Sequence, residues 1–370
     1  MKEPTDKTSK PGSRSFGLDI LRAAAITAVI LHHEITLTRF PILDGMDGVC
    51  LFFVVSGFLI GRMYFQGSRK PSFTMLSFWM SRWWRTLPPY AAALLLYTIV
   101  RHTTGSIAAP QPSLPWYYGV FLQNYLGLTG FGVTWSLCVQ EHFYLVLPLF
   151  GLAITRLLGR RWFGYLLPIL FFLPVIFRDI PMLHGPEQYW FFRSHLRCEP
   201  LIAGVWLAFL AVDEPATMLR IRRIAPWCIL PLPVIFYFVP YCQATWFKVT
   251  SDELIPLGFA ACVCSLGDFG WKPATWFGRG VRWSVQLIAL TSYSIYLVHT
   301  TVDPVLRGFA TEVLHLQRGA ARSLFVIAGV LVIGELFAYL IERPTILLRN
   351  RVMRHAPEQT LPSPVEPGVV

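Results

Sequence analysis

Charge is scarce in this 370-residue chain. Asp, Glu, Lys and Arg together make up 14% of it, where an ordinary soluble domain has about a quarter. That is too little to cover a water-facing surface, which argues against a soluble globular protein. Acid is the scarcer sign, with 21 Asp and Glu against 32 Lys and Arg. The cysteines form no disulfide scaffold. All seven are accounted for mostly by apolar runs, where cysteine acts as a small hydrophobe. The close pair Cys262 and Cys264 has one residue between and no histidine nearby, so no zinc or other metal site is expected. No signal-peptide core is evident, because Arg22 interrupts the first apolar segment. No internal repeat is visible, which leaves the inverted halves of many transporters without support.

What is abundant is apolar and aromatic: 54% hydrophobic residues, 15% aromatic ones and a mean hydropathy of +0.50. An all-α, polytopic transmembrane helical bundle is the fold expected from apolar runs of this length. About ten spans are read, near 17–37, 46–65, 86–101, 136–154, 162–178, 195–212, 226–241, 253–268, 286–306 and 323–342. The net charge of +11 would suit nucleic acid, but Lys and Arg fall in short clusters between apolar runs. That is the pattern of cytoplasmic loops, and no nucleic-acid partner is expected. With the N-terminus inside, 22 of the 32 basic residues are cytoplasmic and eight external, leaving Arg22 and Arg197 in or near the membrane. An even span count returns the C-terminus inside. Residues 1–15 then form a cytoplasmic tail, 16–350 the membrane domain, and the Pro-rich 351–370 a disordered tail. Within the external stretch 102–134, the aromatic WYYGVFLQNYLGL is expected to be interfacial or re-entrant.

The first span, DILRAAAITAVILHH, keeps an arginine near one end and two histidines near the other. Arg22 and His33 are eleven residues apart. At about 100° per residue they share one helix face, separated by a rise of about 16 Å, whereas His32 points some 80° away from Arg22. The expectation is a deep histidine above an arginine, both facing a cavity, because ionisable groups inside a span are costly. The bland alternative is a snorkelling arginine and an interhelical histidine.

Further motifs follow in order: GMDGVCLFFVVSGFLI (45–60), FWMSRWWRTLPPY (78–90), TWSLCVQEHFYLVLP (134–148), HLRCEPLIAG (195–204), TSYSIYLVH (291–299) and LIERPTILLR (340–349). Together with Arg-x10-His they resemble the membrane-bound acyltransferase-3 family over about residues 15 to 350. Two positions depart from its pattern: Ser81 precedes Arg82, and Gln140 stands beside Glu141 where two acids are common. The resemblance implies transfer of an acyl group, commonly acetyl, from cytoplasmic acyl-CoA to a hydroxyl. The acceptor is a cell-envelope glycan, glycolipid or similar molecule at the bacterial cytoplasmic membrane. Acyl-CoA is a donor substrate, and no permanently bound cofactor is expected.

An alcohol attacking a thioester needs its proton removed, and histidine suits that task. His33 is the expected general base. Glu141 either orients the imidazole or makes a salt bridge to Arg197 that pins two spans. Arg22, Arg82 and Arg85 are the expected CoA-phosphate contacts, against a reading of Arg82 and Arg85 as interfacial anchors. Trp135, Tyr144, Arg197, Glu199 and His299 are the candidate acceptor-binding residues, with a membrane-belt role open for Trp135 and an interhelical bond for His299. Ser136 reads as a helix cap, Ser56 as a backbone-bonded serine, Gly57 and Gly61 as a close-packing pair, and Glu342-Arg343-Pro344 as a stop signal. Two other classes compete: a polytopic secondary transporter, which also buries His, Arg and Glu, and a non-catalytic component of polysaccharide export.

Overall fold

The computed structural model describes residues 15–34, 45–104, 115–128, 130–179, 192–238, 245–317 and 319–354, and among the described residues there is no strand. Fourteen helices follow one another: α1 (Phe16–Glu34), α2 (Gly45–Gly67), α3 (Met75–Thr104), α4 (Gln123–Leu126), α5 (Trp135–Leu157), α6 (Phe163–Phe171), α7 (Leu173–Asp179), α8 (Glu199–Asp213), α9 (Pro215–Ile229), α10 (Pro231–Phe238), α11 (Thr245–Leu266), α12 (Trp276–Glu312), α13 (Ala320–Phe337) and α14 (Arg343–Arg354). Six described segments are long and apolar enough to cross a bilayer: Phe16–Glu34, Met46–Gly67, Gly132–Leu157, Arg160–Arg178, Trp276–Glu312 and Ala320–Arg351. The chain is a multi-pass membrane protein built from helices.

Among the described residues helices occur at all ten expected positions, and six segments pass on length and apolarity. α8 has 15 residues, short of the about 20 that span hydrocarbon. Proline accounts for other differences. α3 runs for 30 residues straight through Pro88 and Pro89, although it was expected to begin near 86. Each proline removes an N–H donor, but the Tyr293 hydroxyl of α12 donates to the Thr86 carbonyl at 2.9 Å and ties this turn to its neighbour. The span near 162–178 is broken at Phe172, between α6 and α7, and the span near 226–241 at Leu230, just before Pro231. The expected stop at Glu342-Arg343-Pro344 is instead a π turn, Ala338–Glu342, leading into α14. Pro344 sits in the first turn of that helix, where a missing N–H is tolerated. α14 passes the expected tail boundary and reaches Arg354. The tails at 1–14 and 355–370 lie outside the described residues.

Two packed cores meet along α1 and α2. One gathers Leu18, Leu21, Val54, Phe58, Phe65, Phe163 and Phe209; the other gathers Ile26, Val29, Phe53, Tyr118, Trp135, Val298 and Val330. α2 makes its most extensive contact with α8. A Cβ on Gly57 would lie 2.2 Å from the Leu201 carbonyl oxygen, and one on Gly204 2.2 Å from that of Val54. The two backbones touch, as small residues permit between membrane helices. Arg160 locks one end of this pair: it forks onto Asp213 at 2.7 and 3.0 Å and also reaches the Phe65 carbonyl and Ser68.

The aromatic stretch after residue 115 folds into the bundle. Tyr118 and Gln123 are fully buried. Tyr90 of α3 donates to the Tyr118 carbonyl at 3.0 Å and accepts from Gln123 at 3.1 Å. Residues 105–114 lie outside the described set.

Candidate active site

One end of the bundle carries a basic cavity of about 1140 Å³, larger than the roughly 300–1,000 Å³ of a drug-sized ligand pocket. Arg22, Arg62, Arg85, Lys272, Arg282 and Arg349 line it, against Asp19, Asp268 and Glu342. Several of these charges are held in place. Arg22 donates to Ser292 at 3.2 Å, Arg282 to the Trp271 carbonyl, and Arg349 to the Ser81 carbonyl at 3.4 Å. Asp268 is engaged by Arg222 at 2.7 Å. Glu342 is buried, accepts from Ser294 at 2.6 Å and stands 4.0 Å from Arg85. A wall with twice as many cations as acids, several presenting guanidinium forks, suits a polyanion with phosphate groups.

Arg22 also lines the next cavity inward. This one is about 70 Å³, with Val49, Phe52, Phe53, Ser56, Ser136, Gln140, Ser292, Tyr293 and Tyr296 in its wall. Gln140 donates to Ser56 at 3.3 Å here, and Ser136 shares a 2.7 Å hydrogen bond with Tyr296. Both serines differ from expectation. Ser56 bonds a side chain, and Ser136 lies inside α5 rather than capping it. Val49 and Tyr296 continue into a third cavity, about 360 Å³, lined by His32, His33, Met46, Leu128, Trp135 and Phe192 as well. Three successive cavities therefore share wall residues from Arg22 to His33.

His33 is not deep. α1 is described as far as Glu34, and His33, in the last described turn, is exposed and lines the third cavity. The buried imidazole is His299 of α12, 2% exposed, with its ring centre 5.0 Å from that of His33. The end of α1 is fastened to α12. Arg307 donates to the His33 carbonyl at 2.8 Å and pairs with Glu34 at 3.2 Å and Asp303 at 2.9 Å.

The other candidates lie in two further places. Glu141 is buried on α5 and faces Thr86, Trp83 and Arg82 of α3. The Arg82 guanidinium lies 5.8 Å over the buried Tyr144 ring. Arg82 thus turns into the bundle beside Glu141 and Tyr144 and is not part of the basic cavity wall, unlike Arg85. Among the described residues Arg197 pairs at 4.0 Å with Glu199 rather than with Glu141. Glu199 is 1% exposed and takes its main bond from Arg178 at 2.8 Å, which also binds Glu253. Trp135, Arg197 and Glu199 line one small pocket, about 70 Å³, with Asp47 and Phe53. Trp135 is common to this pocket and the His33 cavity. The five acceptor candidates therefore divide: Trp135, Arg197 and Glu199 together, His299 beside His33, and Tyr144 beside Arg82.

Sequence reasoning passed over Glu342, Arg62, Lys272, Arg282 and Arg349 as site residues. The available signal was an acid left at the end of the most apolar segment, which has a mean hydropathy of 2.5. Among the described residues, no group of three or more His, Cys, Asp or Glu is placed to hold a metal ion.

A membrane bundle with successive cavities that share wall residues, from a basic one to a histidine-lined one, defines the class. The chain belongs to the acyltransferase family, whose acyltransferase domain matches residues 15–341. It is similar to a candidate O-acetyltransferase of Staphylococcus aureus (strain COL), 27% identical over 323 residues, 80% of this chain and 52% of that protein. It is also similar to O-acetyltransferase OatA of Staphylococcus aureus (strain NCTC 8325 / PS 47), 30% identical over 212 residues, 52% of this chain and 34% of that protein. The chain spans about half the length, or less, of these curated relatives. No solved structure matches it.

Proposed function

We propose that the chain is an integral-membrane O-acyltransferase. It moves an acyl group, acetyl for preference, from cytoplasmic acyl-CoA to a hydroxyl of a cell-envelope glycan or glycolipid at the bacterial cytoplasmic membrane. The single observation that carries this reading is the run of cavities with Arg22 at one end and His33 at the other. The similarity to O-acetyltransferases supports oxygen as the atom acylated.

In this reading the bundle has ten spans with both ends inside, and the basic cavity opens to the cytoplasm. Arg22, Arg85 and their neighbours grip the phosphates of the donor. Its acyl thioester reaches along the narrow middle cavity past Ser56, Gln140 and Tyr296. The acceptor enters beside Trp135, whose ring offers a sugar a stacking face, with Arg197 and Glu199 behind it. His33 takes the hydroxyl proton, the alcohol oxygen bonds to the thioester carbon, the carbon–sulfur bond breaks, and the proton ends on the departing thiolate. Positioned base catalysis of this kind contributes about 10²- to 10⁴-fold. Glu141, with Arg82 and Tyr144, braces α3 against α5 beside the passage.

The test is the whole protein in nanodiscs with labelled acetyl-CoA, scored for thiol release and for thermal stabilisation by CoA. Surface glycans are compared by mass spectrometry in cells with and without the protein. Thiol release that disappears in His33→Ala at unchanged abundance supports the reading. Full turnover by His33→Ala removes the base assignment, and proton flux with no response to CoA replaces the enzyme by a transporter.

A further inference from the structure

His299 has its tautomer fixed by its surroundings. Its Nδ1 lies 2.6 Å from the Tyr296 carbonyl oxygen. A carbonyl only accepts, so Nδ1 carries the proton and Nε2 of the neutral ring is left with a bare lone pair. That Nε2 is buried and has no hydrogen-bond partner among the described residues. An unsatisfied acceptor in so enclosed a place costs stability, and another imidazole lies beside this ring. The His33 ring centre is 5.0 Å away, tilted by 57°. The two rings are neighbours without being bonded, and a turn of the His33 side chain would bring a ring nitrogen within hydrogen-bond length of Nε2. α12 also fixes the backbone of its partner, since Arg307 holds the His33 carbonyl at 2.8 Å.

We propose that His299 is a positioning residue for His33, its Nε2 accepting the N–H of the His33 ring when a hydroxyl acceptor occupies the outer cavity. This rests on the reading of His33 as general base. The contact selects the His33 tautomer whose other nitrogen presents a lone pair to the cavity lined by Trp135, Phe192 and Tyr296. When that nitrogen takes the alcohol proton, His299 holds the resulting imidazolium by a charge-assisted bond. His299 stays neutral and enters no proton balance, in the way a carboxylate orients histidine elsewhere.

Two substitutions separate this role from simple packing. His299→Asn keeps a donor where Nδ1 bonds the Tyr296 carbonyl and loses the Nε2 acceptor. His299→Gln puts an amide oxygen near the Nε2 position. With whole protein in nanodiscs, thiol release from acetyl-CoA is followed with water as the acceptor. His299→Asn is expected to lose at least about tenfold in kcat with the KM for acetyl-CoA unchanged, and His299→Gln to recover most of it. Equal activity in His299→Asn and the native protein overturns the proposal, as does a Gln variant no better than Asn. A second readout needs no turnover. In ¹⁵N-histidine spectra the His299 Nε2 resonance is expected to move when His33 is replaced by Ala, and an unmoved resonance also overturns the proposal. If His33→Ala releases thiol normally, the base reading fails while the spectra still report the pairing.

Discussion

Arg307 of α12 donates to the backbone carbonyl of His33, the last but one residue of α1, at 2.8 Å. The same guanidinium pairs with Glu34 and with both oxygens of Asp303. It ties the last described turn of α1 to α12, and it sets where the His33 ring begins. Arg307→Ala is expected to lower kcat for thiol release about tenfold, ~1.4 kcal/mol in the barrier. Thermal stability should fall as well, because the Glu34 carboxylate is buried and loses its cationic partner. Arg307→Lys keeps the charge without the fork and falls between. Native kcat in the alanine variant removes the anchoring role.

Opposite shifts are expected from the two sides of one ion pair in the basic cavity. Arg85 and Glu342 stand 4.0 Å apart, and both line the cavity wall. On the proposed donor site, Arg85→Ala is expected to raise the KM for acetyl-CoA while leaving the acceptor KM alone. Glu342→Gln keeps the shape and the acceptor for Ser294, removes a repelling charge, and is expected to lower the donor KM twofold to fivefold, about 0.5–1 kcal/mol. Both shifts should shrink as salt is raised. Movement of both variants in the same direction separates the cavity from donor binding.

Some of this arrangement is legible in the sequence because it depends on one helix. The 3.6-residue period puts Arg22 and His33 on one face, and each lines one of two cavities that share Val49 and Tyr296 in their walls. The depth of His33 depends on how α1 packs, and nothing in the sequence marks His33 as exposed while Glu34 beside it is buried. Glu342 looks like a stop because Arg and Pro follow it. Its burial comes from a π turn that rotates the side chain toward Ser294, and such a turn has no sequence period. Arg62, Lys272, Arg282 and Arg349 come together only through the packing of four separate elements. The Glu141–Arg197 pairing read from charge alone gives way to Arg178, which holds Glu199 and leaves Arg197 at the edge of the same cluster.

At the basic end of the bundle, Arg160 joins three elements through Asp213, Ser68 and the Phe65 carbonyl. Arg69 adds a 2.8 Å bond to the same Asp213. Removing the carboxylate charge leaves two guanidinium groups facing each other. Asp213→Asn is expected to lower the thermal midpoint in detergent by an amount corresponding to about 1–3 kcal/mol. Arg160→Lys should destabilise as well, because an ammonium cannot fork onto both carboxylate oxygens. Donor KM should hold in both, since neither residue lines the basic cavity. An unchanged midpoint in Asp213→Asn rules out the clamp.

The α2–α8 contact brings Val54 and Leu201 backbone atoms against glycine, and α2 also supplies Val49, Phe53 and Ser56 to the passage. Gly57→Ala places a methyl group 2.2 Å from the Leu201 carbonyl oxygen. Backbone cannot yield there without separating the two helices. The expected cost is at least about 1–3 kcal/mol, seen as a lower thermal midpoint, together with loss of turnover as Ser56 and Gln140 move apart. Gly280 of α12 is the control: a Cβ there meets nothing within 4 Å. Gly280→Ala is expected to be neutral or to stabilise by up to about 1 kcal/mol through helix propensity. Equal midpoints for the two alanine variants contradict the close approach of α2 and α8, and with it the placement of the residues that line the narrow middle of the passage.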